Sequence, residues 1–193
     1  EHLQTGIQLA LRTGNVAVQG DGYLWLAILE QAAGKREELQ AALMKIEQMT
    51  SSREISPLAR ITIATCQLMI AQAAGDMKAA EEWERQVSLP GQVSLQEQGS
   101  LSYYFPMLKL AHFALARGER AAAAQALARL AGMLKQAGWQ ASPVELCALQ
   151  ALAADTPSEA LAFLDMALRQ GEPEGFLRSF LDLGEPMRLL LER

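Results

Sequence analysis

The chain has 193 residues, of which 50% are hydrophobic, 6% are aromatic and 20% are charged, and its formal net charge is −5. Few residues are β-branched, and no sustained alternation of apolar and polar residues occurs, which excludes a protein built mainly of β-sheet. The 17 Lys and Arg residues are scattered among 22 Asp and Glu residues. Such a chain lacks the clustered positive charge that binds the phosphates of nucleic acid, so we expect no direct contact with nucleic acid.

Four segments share one pattern, in which an apolar helix is followed by a break and then by a second helix. The breaks fall at Gly34, Gly75, Gly118 and Asp155, about 40 residues apart, which is the signature of a helical repeat. The pattern predicts helical hairpins at residues 17–50, 56–88, 97–137 and 141–170, followed by capping helices at 173–192.

The residue types at and near each break can be explained physically. Glycine adopts the left-handed conformation that ends a helix without steric cost, and Asp tolerates this conformation better than most residues, so Asp155 is expected to replace a glycine in the fourth break. Small residues recur at fixed distances from the breaks and predict closely packed helix pairs. They are Ala27, Ala111 and Ala148 before the breaks, and Ala80, Ala123 and Ala160 after them.

Two places depart from the regular pattern. Pro106 interrupts an otherwise continuous helix, which predicts either a kink or a helix that begins only at about Phe105. Near the end of the chain, Gly171 is expected to close one helix, Pro173 to start a short one, and Gly184 to restart the chain for the last helix.

A single hairpin cannot cover its own apolar face, whereas a stack of hairpins can. The predicted fold is therefore all-α: a right-handed superhelical stack of antiparallel helical hairpins, of the tetratricopeptide-like (TPR-like) α-solenoid kind. We expect one repeat domain over residues 1–193.

Groups that could carry catalysis are sparse. The only histidines, His2 and His112, are far apart in sequence, so they do not form the paired ligands of a helical metal site. His112 is better interpreted as a half-buried, hydrogen-bonded side chain on an apolar helix. The Gly34-Lys35 pair lacks the remainder of a phosphate-binding loop, and no G-x-S-x-G motif occurs. We therefore predict that the chain is not an enzyme and holds no metal or cofactor.

The cellular setting is predicted from two features. Cys66 and Cys147 each lie in an apolar helical stretch, which is typical of buried thiols in a reducing cytoplasm rather than of disulfides. The longest uncharged run, residues 61–75, is shorter than the ~18 apolar residues of a membrane span, so no membrane insertion is expected. The chain begins at Glu1 without an initiator Met, and we expect it to be a fragment of a longer protein.

In a TPR-like stack the first helix of each hairpin is expected to line the concave side, where a ligand or partner would bind. The candidate groove residues are Asp21, Leu24, Ile28, Thr65, Met69, Gln72, Phe105, Leu108, His112, Glu145 and Leu149. The alternative for each of them is packing against a neighbouring repeat. Trp25, Trp83 and Trp139 are expected to pack in the core or between repeats.

The end of the chain, LAFLDMALRQGEPEGFLRSFLDLGEPMRLLL, resembles the end of the helical-repeat region in the large ATP-binding regulators of the LuxR family, the MalT-type activators. Eleven residues carry the match, and Phe176 stands where Tyr is usual. They are Glu172, Pro173, Glu174, Gly175, Phe176, Arg178, Phe180, Asp182, Gly184, Pro186 and Met187. The upstream repeats are similar to those of this family too.

The resemblance implies a parent protein with an NTPase module, this superhelix and a helix-turn-helix, the first and last being absent here. It also implies that a small-molecule effector bound to the repeats favours self-association, so a homo-oligomer is expected. Our first hypothesis is an effector-sensing and signal-transmitting domain of a transcriptional activator. The second is a scaffold that docks a partner protein or the regulator's own NTPase module. An enzyme is the third.

Overall fold

The computed structural model describes residues 2–14, 16–50, 57–88, 104–139 and 143–193. These residues form eleven α-helices and no strand, which confirms the all-α class for this part of the chain. The right-handed sense of the superhelix stays a prediction. The chain divides into two compact units, Glu1–Gln98 and Gly99–Arg193.

The first unit contains five helices: α1 (His2–Thr13), α2 (Val16–Ala32), α3 (Arg36–Thr50), α4 (Pro57–Ala73) and α5 (Met77–Ser88). Helix α2 packs against α3 and α4 against α5, so each of these pairs forms a helical hairpin. Helix α2 also contacts α1 and α4, which makes it the central helix of this unit. Its apolar residues Leu24 and Ala27 are correspondingly buried.

The second unit contains six helices: α6 (Tyr104–Ala116), α7 (Arg120–Gln136), α8 (Val144–Ala153), α9 (Pro157–Glu174), α10 (Arg178–Leu181) and α11 (Gly184–Leu191). Helix α6 pairs with α7 and α8 with α9, which gives two further helical hairpins. Helix α8 also contacts α6, α7, α10 and α11, and residues 146–149 are fully buried. The two capping helices therefore complete the core around α8.

The first three breaks have the predicted geometry. Gly34, Gly75 and Gly118 have φ values of 72°, 74° and 79°, which only glycine adopts without strain. At the third break the amide of Glu119 donates to the carbonyl of Ala114 at 2.9 Å, and matching bonds follow Gly34 and Gly75. These bonds satisfy carbonyls that the helix end would otherwise leave free.

The fourth break corrects the prediction for Asp155. No residue other than glycine has a positive φ in the described part of the chain, so Asp155 does not replace a left-handed glycine. Instead Ala154 is extended, and Thr156 caps α9 by accepting a hydrogen bond from the amide of Glu159 at 3.2 Å. An N-cap residue requires extended backbone, so the chain leaves α8 by a different path.

The end of α9 corrects a second prediction. Gly171 does not close this helix and Pro173 does not start a new one, because α9 continues to Glu174 and is capped by Gly175 at φ 71°. A proline in the last turn removes only one hydrogen bond near a helix end, which the helix tolerates there. Gly171 is buried instead, and a Cβ on it would lie 3.1 Å from the Phe180 ring.

The remaining predictions about packing have mixed outcomes. The described part of helix α6 runs from Tyr104 and includes Pro106. Residues 97–103 of the predicted third hairpin lie outside the described residues, so the choice between a kink and a late helix start stays a prediction. The six alanines near the breaks are all buried, as are Cys66 and Cys147, neither of which forms a disulfide. The core prediction is wrong for Trp25 and Trp139, whose exposed fractions are 49% and 52%.

Candidate functional site

The predicted groove residues lie on the first helices of the four hairpins. Those on α2 and α4 belong to the first unit: Asp21, Leu24, Ile28, Thr65, Met69 and Gln72. Those on α6 and α8 belong to the second unit: Phe105, Leu108, His112, Glu145 and Leu149. A ligand-binding role for these residues stays a prediction, and their surroundings are given for each unit by itself.

In the first unit, two of the six side chains are inside the core. Leu24 and Thr65 are buried, and the Thr65 hydroxyl donates to the Ile61 carbonyl of its own helix at 2.7 Å. Ile28, Met69 and Gln72 are half-buried, and Asp21 is exposed. The neighbouring protein still desolvates Asp21 in part and raises the pKa of its carboxyl group.

In the second unit, an ion pair joins helices α6 and α8. The Nζ atom of Lys109 donates to Oε1 of Glu145, and the two residues are 36 positions apart in sequence. The side chain of Lys109 is only 10% exposed, whereas that of Glu145 is 31% exposed. The Lys109 ammonium also lies 5.5 Å from the centre of the Phe105 ring, within the range of a cation–π interaction.

Two neutral polar groups belong to the same cluster. The hydroxyl of Tyr104 is buried without a hydrogen-bond partner, and burial followed by the charge of Glu145 raises its pKa well above the usual range. His112 is half-buried; burial and then the charge of Lys109 lower its pKa, while Glu145 and Asp182 oppose this shift. We call Tyr104, Lys109, His112 and Glu145 the polar cluster.

The other two predicted residues of this unit serve packing. Leu108 is 1% exposed and Leu149 is fully buried in the core of the unit.

Sequence reasoning found His112 and Glu145 but missed their neighbours Tyr104 and Lys109. A signal for Lys109 was available, because it is the one permanently charged residue in the helix sequence YFPMLKLAHFALA. Tyr104 gave no such signal, since a tyrosine on an apolar helix is ordinarily a core residue.

The polar cluster offers hydrogen-bond donors and acceptors with no net charge, because its one cation and one anion balance. Such a set can bind and orient polar groups of a ligand or respond to a shift of the helices that carry it. Within the part of the chain that the structure describes, no three His, Cys, Asp or Glu side chains are grouped to hold a metal ion. The prediction that the chain is not an enzyme stays a prediction.

The first unit has a separate feature on the outer side of α2. Val18, Trp25 and Leu29 are each about half exposed and follow one another at spacings of seven and four residues. These spacings place the three side chains on one stripe of the helix, with Asp21 beside them. A stripe of this kind is a candidate surface for contact with another protein.

Among known families, the model described as the MalT-like TPR region matches the chain over residues 1–193. The chain belongs to the MalT-like TPR family. The resemblance drawn from the terminal motif and the repeats is thereby confirmed, and the paired helices of both units agree with it. Comparisons with curated proteins and with solved structures gave no match. Among the described helices, none is both long enough and apolar enough to cross a membrane.

Proposed function

We propose that this chain is the effector-sensing and signal-transmitting domain of a MalT-type transcriptional regulator. The observation that carries the proposal is the match to the MalT-like TPR region over the whole chain. The described residues support it, because in each unit the first helices of the hairpins carry candidate side chains that lie outside the core. The polar cluster is the part of these surfaces best suited to meet a polar effector.

The proposed mechanism is a shift between conformations. An effector that binds one arrangement of the hairpins more tightly than another stabilises that arrangement by its difference in binding free energy. The new arrangement would then change the contacts between this domain and the NTPase module of the same regulator, and it would favour self-association. We place this process in the cytoplasm, where the buried thiols of Cys66 and Cys147 stay reduced.

A screen of candidate inducers tests the proposal directly. Thermal shift and calorimetry on the 193-residue chain are expected to identify at least one inducer that binds. Glu145→Gln and His112→Gln are expected to weaken this binding, whereas the exposed control Arg169→Gln, which breaks a surface ion pair, leaves it unchanged. If a regulator containing this chain responds to an inducer that the chain does not bind, the sensor lies elsewhere.

The second candidate function is a scaffold that docks a partner protein or the regulator's own NTPase module. The exposed stripe of Val18, Trp25 and Leu29 beside Asp21 favours it, because apolar side chains next to a carboxylate suit a partner surface with basic residues. Purified NTPase module should then bind the chain, and Trp25→Ala or Asp21→Lys should abolish binding. Unchanged binding in both variants, with loss in Glu145→Lys, would move the docking surface to the second unit.

A further inference from the structure

The exposed stripe on α2 is continuous with the interface between α1 and α2. Four residues lie on one line along α2, at spacings of four, three and four positions: Val18, Gly22, Trp25 and Leu29. Gly22 is buried, and a Cβ on it would lie 2.5 Å from the side chain of Ile7 in α1. The other three residues are each about half exposed. Helix α1 therefore covers the middle of this line and leaves apolar surface at both of its ends.

Helix α2 differs in this exposure from the first helices that follow another first helix. Within each unit the consecutive first helices contact one another, α2 with α4 and α6 with α8. Among the described residues of α4 and α8, no large apolar side chain is exposed. Helix α2 is the earliest of the described first helices, and it exposes three such side chains. The stripe is thus the surface that a preceding first helix would cover.

Helix α1 has the place of a second helix in the array. It ends directly before a first helix, and a left-handed glycine stands at the junction, Gly14 with a φ of 67°. The junction between the second helix α7 and the first helix α8 has the same feature, Gly138 with a φ of 83°. The side-chain amide of Gln19 also donates to the Ala10 carbonyl at 3.0 Å, which ties α2 to α1. Helix α1 is therefore half of a hairpin, and its first helix is not among the described helices.

We propose that the stripe of Val18, Trp25 and Leu29 binds the first helix of one further hairpin, supplied by the parent protein directly before Glu1. This helix pairs with α1 and contacts α2 in the way that α2 contacts α4. Repeat arrays end in hairpins whose outer face is polar, because an apolar end face would stay in water. The stripe is apolar, so it has the character of an internal surface of the array. This proposal goes beyond the proposed function and does not depend on effector binding.

The stability of a chain extended upstream tests the proposal. The 193-residue chain is compared with one that begins about 20 residues earlier, the length of a first helix with its turn. Trp25→Ala should raise the unfolding constant of the first unit about tenfold more in the longer chain, because the exposed half of the indole is buried only there. Met44 is the matched control, since it is apolar and 56% exposed on α3, and Met44→Ala should have the same effect in both chains. Equal effects of Trp25→Ala in the two chains would overturn the proposal.

Acrylamide quenching of Trp25 fluorescence needs no substitution in the stripe. Trp83→Phe and Trp139→Phe leave Trp25 as the single tryptophan of the 193-residue chain. Acrylamide should quench Trp25 readily in this chain, and the natural upstream extension should reduce the quenching and shift the emission to shorter wavelength. A flexible Gly-Ser extension of the same length should change neither property. If Trp25 stays as open to acrylamide with the natural extension as without it, the proposed helix is refuted.

Other occupants of the stripe would give different results. If a second copy covers it, raising the concentration of the 193-residue chain should shield Trp25 and double the mass in light scattering, and Trp25→Ala should abolish both effects. If the NTPase module covers it, only the addition of that module should shield Trp25 in the longer chain. Either result would overturn the further hairpin.

Discussion

Replacing Gly22 by alanine is expected to destabilise the first unit, although alanine is the better helix former. Gly22 lies in α2 where α1 crosses it closely, and a Cβ on Gly22 would lie 2.5 Å from Cγ1 of Ile7. Carbon atoms do not approach to this distance without strain. Ile7 is 4% exposed and held in the core, so its side chain has little room to turn away.

Two opposing contributions determine the size of the effect. Replacing glycine by alanine inside a helix contributes about 1 kcal/mol to stability. Forcing an extra methyl group into a packed interface costs about 1–3 kcal/mol. The expected net change for Gly22→Ala therefore lies between about 0 and 2 kcal/mol of destabilisation, where helix propensity by itself would have predicted stabilisation.

Gly20→Ala is the matched control in the same helix. A Cβ on Gly20 would meet only the flexible end of Met49 at 3.5 Å, an ordinary contact, so the full gain of about 1 kcal/mol is expected there. For a unit of this size that gain corresponds to a rise of about 4–8 °C in the midpoint of thermal unfolding. Circular dichroism with hydrogen exchange of the α1 and α2 amides measures both variants. The close approach of α1 is refuted if Gly22→Ala is as stable as Gly20→Ala.

Three further predictions concern the second unit. Gly118→Ala should lower the free energy of unfolding by about 1–2 kcal/mol, because Gly118 has a φ of 79°, where a side chain is strained. Gly132→Ala is the control and should not destabilise the chain, because no atom lies within 4 Å of the new Cβ. If urea titrations showed the same loss of stability in both variants, the strain expected at Gly118 would be contradicted. Thr156→Ala should cost about 1 kcal/mol through loss of the cap on the Glu159 amide, and Thr156→Ser should restore most of it. Burial lowers the pKa of His112 in the folded chain, so the unfolded chain binds the proton first and stability should fall as the pH drops below about 6.5. His112→Gln should remove this part of the pH dependence in denaturant titrations at pH 7.5 and 5.5, and an unchanged pH profile would count against the burial of His112.

The positions of the helices were largely predictable because they depend on neighbouring residues. The breaks at Gly34, Gly75 and Gly118 need a left-handed residue whatever surrounds them, and all three glycines have it. The prediction for Asp155 also failed for a local reason. Thr156 is the N-cap of α9, and the repeat pattern, which looked for a left-handed residue at each break, did not indicate this cap. The continuation of α9 through Pro173 also depends on position, since a proline in the middle of the helix would have kinked or broken it.

The candidate site was less predictable, because burial depends on residues that are distant in sequence. Periodicity placed Leu24, Thr65 and Leu108 on the expected groove, yet all three are buried. Trp25 was expected in the core or between repeats, although about half of its surface is exposed. A helical period shows which residues share a face, but not how much of that face a neighbouring helix covers.

The amino-acid sequence by itself determined the all-α class, the breaks at three glycines and the family, because these follow from local backbone preferences and from a motif of adjacent residues. Only the tertiary structure brought Lys109 beside Glu145 and left the Tyr104 hydroxyl without a partner. The physical reason is that a backbone conformation is selected within a few residues, whereas the environment of a charge is made by whichever helices pack around it.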